Sequence, residues 1–149
     1  MNAQYGDPFR NYQKRTRLVS ATYCGYVNNN EAEFTAIKQG LLIAIRTNYK
    51  WIIIKGDSRL VVDIVKKLNQ GNQWENLSDK WHITHLVQEV KELISSFNYL
   101  LTSHVQREGN KVAYFLANWS CSHPSRPLEM AWPPHTLEDD LISLQGILD

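Results

Sequence analysis

Trp51–Ser58 reads WIIIKGDS. Trp51, Ile52, Ile53 and Ile54 follow one another without alternation, the pattern of a strand covered on both faces. Such a strand is expected in the middle of a sheet, not at its edge. It ends in Gly56, Asp57 and Ser58, and a helical pattern begins at once. A carboxylate then stands at the carboxyl end of a central strand, where open α/β sheets place their sites. Whatever joins Asp57 there defines the chemistry.

Working outward, Thr16–Val27 (TRLVSATYCGYV) is rich in β-branched and aromatic residues and predicts a strand. Before it, Met1–Tyr12 is weakly patterned, and Gly6 and Pro8 are expected to interrupt any strand. Asn28–Asn30 is a turn. Asn30 is placed as a helix N-cap, with Glu33 three residues on, close to a capping box. The helix carries Phe34, Ile37, Leu41 and Ile45 on one stripe and ends near Asn48. After Asp57, a helix with Val61, Ile64, Val65 and Leu68 closes at Gly71. A polar loop containing Trp74 leads to the most regular helix, in which Ile83, Leu86, Val87, Val90, Leu93, Ile94 and Phe97 keep a 3.6-residue period. Tyr99–Val105 is a strand. Asn110 can cap a helix burying Val112, Phe115, Leu116 and Trp119, which Pro124 stops. Two segments are expected, a domain over residues 1–122 and a proline-punctuated tail over 123–149. The tail carries a short amphipathic helix from Thr136, suited to docking. The order of elements specifies a mixed α/β layer fold.

The composition sets limits. With 149 residues, 43% hydrophobic and 21% charged, the chain has enough material for one domain with a real core. A formal net charge of +1 makes no global field, so any nucleic-acid surface must be local. No apolar run approaches the ~20 residues needed to span a bilayer. Nor does the start of the chain have the apolar segment of a signal peptide. Cys24 and Cys121 are isolated, which fits a reducing, intracellular compartment and does not separate nucleus from cytoplasm. Nothing in the sequence indicates an oligomeric state.

Glu33 at a helix start and Asp57 at a strand end are oxygen donors, and together they suit Mg²⁺, a hard cation. Each also has a purely structural use: Glu33 in a capping box, Asp57 as the cap of the next helix. Spacing alone leaves both uses open.

Three blocks carry a resemblance: NNNEAEFTAIKQGLLIA at 28–44, IIIKGDSRLVVDIV at 52–65 and SHVQREGNKVAYFLANWS at 103–120. In order and separation they resemble the plant-type ribonuclease H-like domain, related to the RNase H part of reverse transcriptases, over residues 9–122. The resemblance implies a five-stranded mixed sheet, its first three strands antiparallel, flanked by helices. It also implies cleavage of the RNA strand of an RNA–DNA hybrid by a pair of Mg²⁺ ions. The family's metal ligands would be an Asp on the first strand, the Glu matching Glu33, the Asp matching Asp57, and an Asp in the last helix. In this chain the last-helix position is Tyr114, and a neutral phenol is a poor Mg²⁺ ligand. Counting back from Glu33, Phe9 and Arg10 fall in the family's second strand, so the first strand and its Asp are expected to be missing.

Other residues are weighed beside these. His104 matches a position where the family often has a His that helps handle leaving-group protons; the alternative is a strand residue with one satisfied hydrogen bond. His82 and His85, one helical turn apart, are a zinc pair only with further ligands, and no Cys cluster is near. Lys66, Lys67, Trp74, Lys80 and Trp81 can form a stacking and phosphate-binding surface, or a solvated helix end with two packed indoles. The function implied is nucleic-acid binding, with hybrid cleavage weakened or lost because two acidic ligands are missing. The alternatives are an active hybrid nuclease, a non-catalytic nucleic-acid-binding or interaction pseudo-domain, and a fragment that needs a partner strand.

Overall fold

A computed structural model describes residues 2–10, 16–26, 29–71, 81–106, 111–131 and 139; for residues 2–29, Trp81 and His82 it describes the backbone alone. The elements run β1 (Asn2–Arg10), β2 (Thr16–Tyr26), α1 (Asn29–Arg46), β3 (Trp51–Gly56), α2 (Arg59–Asn69), α3 (Trp81–Ile94), β4 (Tyr99–His104), α4 (Lys111–Ser122) and β5 (Leu128–Ala131). This is a mixed α/β fold with both antiparallel and parallel pairing. The chain divides into one unit of residues 1–28 and 107–149 and another of residues 29–106.

The first unit holds an antiparallel sheet in the order β1-β2-β5, with α4 lying against β1 and β2. The expectation that Gly6 and Pro8 interrupt a strand is corrected here. β1 runs through both, pairing Gly6 with Ala21 and Pro8 with Val19. The physical reason is position: among the described strands β1 is at one end of its sheet, and an end strand can turn the missing N–H of a proline away from its neighbour. Irregularities at Ala3/Gln4 and Phe9/Arg10 break its register. Part of the stretch read as a tail contributes β5, which pairs with β2 from Leu18↔Ala131 to Ala21↔Leu128. Leu128 is buried with Val112, Leu116 and Trp119, and Phe115 and Met130 pack against them. Among the described residues the helix expected from Thr136 is represented by Asp139 alone.

The second unit holds a parallel pair, β3 and β4, registered from Trp51↔Tyr99 to Gly56↔His104. Its core joins Phe34 and Leu41 of α1, Val61, Ile64, Val65 and Leu68 of α2, and Ile83, Leu86, Val87, Val90 and Ile94 of α3. Leu100 and the half-buried Ile52 and Ile54 of the strands pack on it. Lys38 of α1 and Glu89 of α3 form an ion pair at 2.8 Å.

Within this unit the helices cover one face of β3, and among the described residues it pairs with β4 alone. Trp51 is 73% and Ile53 59% exposed, with Tyr99 and Leu101 exposed beside them. Trp51 and Tyr99 place their ring centroids 5.3 Å apart on this face. A strand sends alternate side chains to opposite faces, so Ile52 and Ile54 go to the helices while Trp51 and Ile53 go the other way. An unbroken apolar run carries no parity, and the sequence pattern cannot show which face is filled.

The helix ends follow local chemistry. Beyond α1, Asn48 adopts φ 65°. The amide of Tyr49 donates to the carbonyl of Ala44 and that of Asn48 to Ile45, at 2.9 and 3.0 Å. That is the Schellman arrangement with Asn in the left-handed position. Gly71, at φ 81°, closes the turn after α2, a conformation glycine adopts without strain.

Candidate metal site at the end of β3

The β3–β4 ladder brings the site residues to one end of the parallel pair. Gly56 and His104 are the last paired residues, and the amide of Val105 donates to the Gly56 carbonyl at 2.9 Å. Asp57 follows immediately, so its position is fixed by a strand end anchored through its neighbour.

Ser58 then starts α2. Its backbone is extended, at φ −88° and ψ 108°, and its hydroxyl accepts from the Val61 amide at 3.3 Å. The same hydroxyl donates to Asn30 Oδ1 at 3.3 Å. The cap of α2 is therefore Ser58 and not Asp57. Asn30 is not the N-cap expected of it, since α1 already includes Asn29. Its side chain instead receives the hydroxyl of the neighbouring helix cap, tying the two helix starts together. The reason is economy of donors and acceptors: a serine hydroxyl can accept from an amide and donate to an amide oxygen at once.

Glu33 lies one turn into α1 and turns toward the β3 end. Its carboxyl is hydrogen-bonded to the Asp57 carboxyl and accepts from the backbone amides of Asp57 and Ser58. Burial raises its pKa most, the negative charge of Asp57 raises it further, and the carboxyl–carboxyl hydrogen bond adds to both. The two backbone amides, which favour the anion, offset part of this, and the result is a rise from 4.5 to about 7. The Glu33 carboxyl keeps its proton until near neutrality. Both carboxyls are thus brought together at the start of α2, whose N-cap is Ser58.

His104 also joins them. Its Nε2 lies 3.2 Å from the Asp57 carbonyl, and its Nδ1 lies 3.4 Å from Arg59 Nη2. A carbonyl only accepts and a guanidinium only donates. Both contacts are satisfied together by the tautomer that carries a proton on Nε2 and donates it to the Asp57 main chain. Arg59, Ser58 and Asn30 are site residues the sequence reading missed. Their partners lie 45 and 28 residues away in the chain, and no local spacing announces them.

The remaining expected residues lie elsewhere. Lys66 and Lys67 are exposed in the last turn of α2. Trp74 and Lys80 fall outside the described residues, and Trp81 opens α3 with its side chain outside them. His85 is exposed on α3, and the side chain of His82 is not among those described. Tyr114 is exposed on α4, in the other unit. Among the described residues no three His, Cys, Asp or Glu side chains form a metal-binding group. No helix of the described residues is long and apolar enough to cross a membrane.

The profile of the reverse transcriptase-like family matches residues 10–120. No curated protein sequence matches the chain. Among solved structures, the chain is similar to an RNase H1 from the halophilic archaeon Halobacterium salinarum, with 24% identity and a TM-score of 0.70 over 82% of this chain and 87% of that one. It is also similar to the N-terminal RNase H domain of a Mycobacterium tuberculosis protein, at 24% identity and a TM-score of 0.69, covering 83% and 85%. A third similar structure, LC11-RNase H1 in complex with an RNA/DNA hybrid, has 20% identity and a TM-score of 0.62, covering 82% and 87%. The chain belongs to the reverse transcriptase-like family and has the fold of an RNase H domain.

Proposed function

We propose that this domain binds nucleic acid, an RNA–DNA hybrid or RNA, through a β3-end site that holds one Mg²⁺ and has little or no cleavage activity. The carboxyl pair of Glu33 and Asp57 carries the reading. Its donors are hard oxygens, and its buried, mutually repelling charge is what a divalent cation relieves, so the residues fit Mg²⁺. When bound, such an ion neutralises phosphate charge and polarises a phosphoryl oxygen. Glu33 and Asp57 would hold it, the amides of Asp57 and Ser58 would orient Glu33, and His104 would keep the Asp57 main chain in place. The similar LC11 protein in complex with a hybrid supports the choice of ligand. Exposed Lys66 and Lys67 on α2 supply local positive charge for phosphates, while Trp74, Lys80 and Trp81 remain proposed contacts from sequence.

The low activity follows from charge. Two divalent ions a few ångströms apart repel strongly unless anions lie between them. A pair of carboxylates suffices for one ion with water on its other positions, and Tyr114 stands where the family has a further Asp. The non-catalytic reading is favoured over the active nuclease on that ground.

The test is a labelled RNA–DNA hybrid titrated with protein at rising salt, then incubated with Mg²⁺ or Mn²⁺. Expected are binding that weakens steeply with salt and cleavage at or near background. Robust cleavage by the unchanged protein, abolished by Asp57→Asn, would overturn the low-activity reading. Absence of binding at low salt would overturn the nucleic-acid reading.

A further inference from the structure

Gly56 directly precedes Asp57 and is buried at the end of β3. A Cβ built on it would lie 2.6 Å from Glu33 Oε1, 3.7 Å from Glu33 Cδ and 3.3 Å from Val62 Cγ2. The first distance is far inside van der Waals contact. Something must move, and the backbone of Gly56 is held. It pairs with His104 across the ladder, and its carbonyl accepts from Val105 at 2.9 Å. The Glu33 carboxyl, by contrast, is the end of a flexible arm. The conformation of Gly56 is also not left-handed, so a side chain there carries no backbone strain. The glycine is explained by the carboxylate it admits and not by a turn.

We propose that Gly56 is a positioning residue for the candidate metal site: its missing side chain forms the recess that holds the Glu33 carboxyl against Asp57 and the amides of Asp57 and Ser58. This rests on the reading of Glu33 and Asp57 as metal ligands, and it assigns to one hydrogen atom the separation of site geometry from fold stability. Adding a methyl swings the Glu33 arm away at little cost to the fold, whereas Val62 need yield only a few tenths of an ångström. The acceptor of two backbone amides and one of the two oxygen ligands leave the site together.

The experiment compares the unchanged protein with Gly56→Ala, using three measurements. Thermal melting reports the fold, hydrogen exchange of the Asp57 and Ser58 amides reports the carboxyl without metal, and Mn²⁺ titration by electron paramagnetic resonance reports ligation. Expected for Gly56→Ala are a melting temperature lowered by no more than about 4 °C, faster exchange at both amides, and Mn²⁺ affinity reduced about ten-fold or more. Val62→Ala in the Gly56→Ala background should not restore the affinity. Unchanged amide exchange together with unchanged affinity would overturn the proposal. So would recovery by Val62→Ala, or a Gly56→Ala protein that fails to fold, since either places the conflict in packing and not in Glu33. If the unchanged protein binds no Mn²⁺ but Gly56→Ala still frees the two amides, the metal reading fails and the positioning role stands.

Discussion

Glu33 couples the candidate site to pH. Its carboxyl titrates near 4.5 in an unfolded chain and at about 7 in the folded protein. Below about pH 4.5 it is protonated in both states and makes no difference to stability. Between the two values the folded protein keeps a proton that the unfolded chain has released. The folded state then binds more protons, and stability falls as pH rises. Above about 7 the fall is complete. A tenfold change in proton affinity corresponds to about 1.4 kcal/mol, so the decline is up to about 3 kcal/mol. Urea midpoints measured from pH 4.5 to 8 should fall across this window, and Glu33→Gln should remove that component of the slope. Saturating Mg²⁺ should also flatten it, because the ion competes with the proton for the same oxygens. Equal slopes for the two proteins would mean that the carboxyl is neither buried nor crowded as described.

At the scale of elements, the starts of α1 and α2 are joined by one hydroxyl. Ser58 caps α2 and donates to Asn30. Replacing an N-cap serine by alanine costs about 1 kcal/mol. Ser58→Ala should lower stability by about that, and Asn30→Ala by less. The double variant should fall short of the sum, because each single change already removes the shared bond. Strict additivity in a double-mutant cycle would show that the link contributes nothing. This is also where sequence reading reached its limit. Glu33 and Asp57 were legible as a candidate pair from block order, but Asp57 and Ser58 are adjacent cap formers, and only backbone geometry shows which one caps. The periodic helices were legible because α3 repeats its apolar residues over many turns. β3 was legible as a strand, yet which of its residues pack on the helices was not. β1 was obscured by Pro8, whose tolerance depends on lying at a sheet edge. Gly56 is silent in sequence, since its role is a distance to a residue on another element.

At the scale of the whole molecule, one unit is continuous in sequence and the other is assembled from both ends of the chain. The assembled unit depends on β5, a strand of 4 residues that sequence reading passes over because it is too short for a period and sits in a proline-rich stretch. β5 covers the side of β2 away from β1 and places Leu128 in the core with Leu116 and Trp119. Removing it uncovers a row of β2 backbone groups, a template for pairing with another chain, and leaves a cavity beside Leu116. The step from a chain ending at Ala131 to one ending at Pro127 isolates this contribution. It should lower stability by roughly 2–5 kcal/mol, the scale of deleting a buried leucine side chain. Leu128→Ala in the longer chain should reproduce most of that loss without uncovering the strand. If self-association appears on truncation and not with Leu128→Ala, the pairing role of β5 separates from its packing role. Coincident melting curves for the two truncated chains would show that β5 contributes neither.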